Sequence, residues 1–118
     1  MKTDNLIADK TFEFAISIIS LYTQLQNEKE FIISKQLMRC GTSIGANVEE
    51  AIAAQSKRDF IHKMSIASKE ARETKYWLRL LDKSVVTKIS VDNYLTEIGH
   101  IINIITKIVK TSQEHISK

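Results

Sequence analysis

No proline interrupts this chain of 118 residues, and it has three glycines, Gly41, Gly45 and Gly99. Proline stops or kinks a helix, and glycine supplies the positive φ that tight turns need. A strand-rich chain of this length needs a turn signal every ~8–12 residues. Without that punctuation the chain is predicted to form a few long helices, an all-α fold. At this length one domain can close a core without disulfides or a structural metal. The single cysteine, Cys40, excludes an intramolecular disulfide framework and a multi-cysteine zinc site, and favours a reducing compartment.

Breaks in the apolar pattern divide the chain into helices over about residues 9–26, 30–54, 56–83 and 90–114. Asp9, Ser56 and Ser90 are the expected N-caps, with Asp59 completing a capping-box-like pair with Ser56. The connections are short, which favours antiparallel neighbours. The expected architecture is an antiparallel up-down four-helix bundle in a single domain, residues 1–118.

Helix 1 carries two apolar stripes. Phe12, Ala15, Ile16, Ile19 and Tyr22 form one; Phe14, Ile18, Leu21 and Leu25 form the other. A corner helix of a monomeric bundle needs one stripe, so two imply two burial partners. The second stripe, with Ile66 and Trp77 of helix 3, is the expected subunit contact of a homo-oligomer. Phe60, Ala67, Ala71, Leu78 and Leu81 form the expected core side of helix 3.

Residues 56–83 carry eight Lys/Arg and four Asp/Glu, a net +4, against +3 for the whole chain. Arg72, Lys75, Arg79 and Lys83 recur at helical spacing as a basic stripe with Tyr76 inside it. Cations along one helix face can follow a phosphate backbone, and an aromatic ring among them can stack on an exposed base. The same pattern also describes an ordinary solvated face. Lys57, Arg58 and Lys63 would extend the patch. No run approaches the ~18 apolar residues of a membrane span, and residues 1–10 hold no apolar signal segment, so a cytoplasmic protein with no membrane partner is expected.

Gln36, Arg39, Ser43, Ile44, Asn47, Val48 and Glu50 form a spaced motif on helix 2. With Ser56 to Phe60, Ile66 to Glu73 and Tyr76 to Leu81, it resembles the signature of a small bacterial four-helix-bundle family. That family was first noted in intervening sequences of large-subunit ribosomal RNA genes. The resemblance runs from about Phe12 to Val109. The chain departs from the pattern at Gly45, where many relatives have proline, and at Ala51, where many have glycine. Both changes leave helix 2 free to continue. The resemblance implies a four-helix bundle, and some relatives assemble as pentameric rings. Members called accessory variability determinants work beside a reverse transcriptase and bind nucleic acid through basic surfaces.

The remaining polar residues suit structure better than chemistry. Gly45 and Ala46 would allow a close helix crossing, with Ser43 and Asn47 satisfied by nearby carbonyls. Arg39, Glu49, Glu50, Glu70 and Glu73 lie on the two central helices, and salt bridges to Arg39 or Arg72, within or between subunits, are expected. A di-iron site on such a bundle wants Glu-x-x-His motifs; His62, His100 and His115 fall outside that pattern, so no metal or other cofactor is expected. Cys40 has no histidine beside it and reads as a small core residue. The chain is thus expected to be a non-enzymatic, homo-oligomeric binding or scaffold protein. Its partner would be RNA, DNA or a nucleic-acid-handling protein. The alternatives are a protein-interaction module with no nucleic-acid role and, far behind, a metallo-oxidoreductase.

Overall fold

The computed structural model describes residues 2–117 as four helices: α1 Lys2–Asn27, α2 Ile33–Ile52, α3 Lys57–Lys83 and α4 Asp92–Ser117. They form an elongated antiparallel bundle of 51 × 22 × 21 Å. Each helix packs on the next in the chain, and the α1–α4 seam is the least extensive. Among the described residues no helix is long and apolar enough to cross a membrane.

Helix α1 begins well before Asp9, the expected cap. Ile7 is the reason. It lies seven residues before Phe14, and Ile7, Thr11, Phe14, Ile18, Leu21 and Leu25 recur at intervals of 4, 3, 4, 3 and 4, all buried. That repeat keeps one seam facing the bundle through the length of the helix. Thr11 is tolerated in it because its hydroxyl donates to Ile7 O at 2.7 Å.

The second stripe of α1 does not take the place expected of it. Phe14, Ile18, Leu21 and Leu25 are core residues, not subunit contacts. Phe12, Ile16 and Ile19 point outward, exposed by 64, 54 and 44%. Both stripes are apolar at helical spacing. The longer stripe, extended by Ile7, wins the core because it buries more surface.

Helix α1 ends in a left-handed residue, Lys29, with φ 65. Glu30 N–H donates to Leu25 O and Lys29 N–H to Gln26 O, both at 2.9 Å. This is the Schellman arrangement, built here without glycine. The Glu30 carboxylate then accepts from the N–H groups of Ile32, Ile33 and Ser34 at 3.1, 3.0 and 2.6 Å. Glu30 is therefore the cap of α2 and not its first residue. Ser56 caps α3 as expected, its Oγ accepting from Asp59 N–H at 3.0 Å. At the same end of the bundle as Lys29, Thr87 Oγ1 donates to Glu28 Oε1 at 2.7 Å and ties the α3–α4 connection to the α1–α2 turn.

The close crossing lies between α1 and α2. A Cβ on Gly41 would stand 3.0 Å from Ile18, and one on Gly45 3.3 Å from the Thr11 carbonyl oxygen. Gly41 and Gly45 are the small residues that count; Ala46, expected to share the crossing, is exposed. Helix α3 presents Met64, Ala67, Ala71, Thr74, Leu78 and Leu81 to the core, while Phe60 packs on its margin half-buried.

Candidate nucleic-acid interface

Helix α3 divides its charges between two flanks. Glu70 and Glu73 face α2, where Arg39 reaches both: Arg39 Nη1 lies 3.4 Å from Glu70 Oε2, and Nη2 donates to Glu73. Trp77 Nε1 donates to Glu73 Oε2 at 3.1 Å, one helical turn away. Ser43 Oγ stands 3.0 Å from both Cys40 O and Glu70 Oε2 and can give its proton to either. Asn47 Nδ2 donates to Ser43 O at 2.9 Å. Arg39, Ser43, Glu70 and Glu73 thus form one lattice between α2 and α3, with Asn47 attached through the α2 backbone. Glu50 stands apart from it, accepting from Lys63 Nζ at 2.9 Å.

The lattice has electrostatic consequences. The Trp77 N–H and the Arg39 guanidinium hold the Glu73 carboxyl below the usual glutamate value, against an opposing effect of burial. Hydrogen bonding to Glu73 raises Arg39 in turn. Cys40 is fully buried, and burial pushes its thiol up, away from the reactive thiolate.

On the other flank Arg72, Lys75, Tyr76, Arg79 and Lys83 are all exposed. Lys75 and Arg79 meet no carboxylate among the described residues. Arg72 Nη2 leans on Thr106 Oγ1 of α4 at 3.4 Å, and Lys83 Nζ lies 3.8 Å from Asp82. Tyr76 is exposed by 54% and meets Trp77 edge to face, ring centroids 5.4 Å apart. With Glu70 and Glu73 occupied by Arg39, Ser43 and Trp77, the opposite flank keeps a net positive charge, offset in part by Asp82.

The expected extension of this patch is not assembled. Lys63 turns to Glu50, and Lys57 and Arg58 sit at the far end of α3, ~20 Å of helix from Arg72. Residues of α4 join instead. A groove of about 270 Å³ beside Arg72 is lined by Ser65, Ser68, Thr106, Val109 and Lys110. Lys110 and Thr106 carry no mark in the sequence that pairs them with Arg72; only the α3–α4 packing does so. Ile66 and Trp77, expected at a subunit contact, are half-buried, and Trp77 packs against the core. The unburied apolar groups near the basic face are Tyr76 and Leu80. Among the described residues no three His, Cys, Asp or Glu side chains are placed to hold a metal ion.

The family model described as 23S rRNA-intervening sequence protein matches residues 3–107. Among solved structures, a protein of unknown function from the S23 ribosomal protein family of Bacteroides thetaiotaomicron VPI-5482 is 46% identical. The match covers 92% of this chain and 98% of that one, with a TM-score of 0.85. No curated protein matches the sequence. Neither description names an enzymatic activity.

Proposed function

Since the chain belongs to the family of 23S rRNA-intervening sequence proteins, we propose that it is a homo-oligomeric, non-enzymatic binding module that holds nucleic acid on the basic face of α3. The observation that carries this reading is the division of charge on α3. Lys75 and Arg79 stand exposed, with no carboxylate partner among the described residues, while Glu70 and Glu73 are engaged on the opposite flank. Arg72, Lys75, Arg79 and Lys83 contact phosphates, and Tyr76 stacks on a base. The outward stripe Phe12, Ile16 and Ile19 joins subunits. Some relatives form pentameric rings; a ring would repeat the basic face on each subunit and convert weak contacts into avidity.

The test is fluorescence anisotropy of a labelled single-stranded RNA at several salt concentrations, beside light scattering. Four phosphate contacts predict a slope of log K against log salt near ~−3 per subunit. The double variant Arg72→Glu, Arg79→Glu should abolish the salt-dependent binding while keeping the helical circular dichroism and the oligomer mass. Unchanged affinity in that variant removes this face from the function. A second reading rests on the outward α1 stripe, whose 4 and 3 spacing suits a partner helix. A monomer that binds no RNA or DNA would favour that interaction module.

A further inference from the structure

At the end of the bundle opposite the Glu28–Thr87 bond, the α1–α4 seam parts. A cavity of about 720 Å³ opens there between the start of α1, the α2–α3 connection and the last turns of α4. Its volume lies within the ~300–1,000 Å³ range of small-molecule sites. Leu6, Ala54, Phe60, Ile104 and Ile108 are its apolar residues. Leu6 stays 48% exposed beside it, so this apolar surface is not consumed by the chain's own core.

The polar groups are unevenly charged. Lys57 and Lys107 line the cavity against one acid, Asp4, with the His115 imidazole beside them. None of these three basic side chains has a carboxylate partner among the described residues. Lys57 is also the first residue of α3, where the helix dipole adds positive potential. Ser56, Thr111 and Ser112 supply hydroxyls. An apolar wall with a cationic margin matches a molecule that is apolar along its body and anionic at one end.

We propose that this cavity binds a single-chain anionic amphiphile, a fatty-acid-like carboxylate, with its chain against Phe60, Ile104 and Ile108 and its head at Lys57 and Lys107. Each part of the ligand meets a part of the site that the fold leaves unmatched. The chain replaces water over Leu6 and Phe60, and the head neutralises cations that have no internal partner. The site is separate from the basic face of α3, which lies toward the other end of that helix, and stands or falls independently of it.

The experiment measures the thermal midpoint and isothermal titration heat of the full chain with dodecanoate below its micelle concentration. Dodecyltrimethylammonium and dodecyl maltoside serve as controls of equal chain length. Dodecanoate should raise the midpoint and bind one molecule per subunit, with the cationic and neutral amphiphiles much weaker. Lys107→Glu should weaken dodecanoate by about tenfold or more. Ile104→Trp, which fills the cavity, should abolish binding without lowering the midpoint of the free protein. Should that variant misfold, Thr111→Phe provides a second filling substitution at the rim. No response to dodecanoate, an equal response to all three amphiphiles, or undiminished binding in folded, filled variants overturns the proposal.

Discussion

Gly41 and Ile18 meet face to face where α1 crosses α2: a Cβ on Gly41 would stand 3.0 Å from both Cγ atoms of Ile18. Gly99, on α4, has nothing within 4 Å of the same position. The two glycines are predicted to respond oppositely to alanine. Alanine favours a helix interior by about 1 kcal/mol over glycine. At Gly41 the crowding costs about 1–3 kcal/mol and outweighs that gain. Gly41→Ala should therefore lower the urea midpoint and Gly99→Ala should raise it. Ile18→Ala, which removes both crowding Cγ atoms, should cost less stability in the Gly41→Ala background than in the parent protein.

Lys29 holds φ 65 to close the Schellman turn. A side chain in that conformation costs about 1 kcal/mol that glycine does not incur, offset in part by glycine's larger entropy when unfolded. Lys29→Gly should raise stability by up to ~1 kcal/mol in chemical denaturation, and Lys29→Val should lower it.

Glu73 sets a pH dependence. Its folded value lies below the ordinary glutamate value, through the Trp77 N–H and Arg39. The unfolded chain therefore takes up this proton at a higher pH than the folded one. The associated stability is fully present above the unfolded value and is lost as pH falls through the folded value. Glu73→Gln should flatten the acid limb of a stability-against-pH curve and cost about 0.5–1 kcal/mol at neutral pH. A limb of unchanged steepness would assign the acid sensitivity to other carboxylates.

Ile16 and Ile18 lie two residues apart on opposite faces of α1. Ile18→Glu buries a charge and should unfold the chain. Ile16→Glu should leave the circular dichroism intact and reduce the mass seen by light scattering. If Ile16→Glu keeps the mass of the parent protein, the outward stripe is not where subunits join.

Much of the bundle was legible because helix period and turn scarcity are local signals. Ser56 and the boundaries of α3 follow from spacing, whereas the pairing of Arg39, and not Arg72, with Glu70 and Glu73 comes from the packing of α2 on α3. The choice between the two stripes of α1 does not. Phe12, Ile16 and Ile19 are as apolar as Phe14, Ile18 and Leu21, and only continuation of the repeat back to Ile7 separates them. Glu30 escaped as a cap because it reaches forward to three N–H groups instead of occupying the N-cap position, which is Ile32. The exposure of the basic stripe was readable from its angular position. Its α4 neighbours Thr106 and Lys110 were not, since they meet Arg72 through the rotation of one helix against another.

The weak seam between α1 and α4 joins the two helices farthest apart in sequence. Every extensive contact is therefore between consecutive helices, so mean contact separation is low and the chain can assemble hairpin by hairpin. Such a topology folds fast, on the microsecond-to-millisecond scale of helical bundles. Closing the loop from the first helix to the last adds little to the barrier, because the α1–α2, α2–α3 and α3–α4 pairings have already brought those helices together.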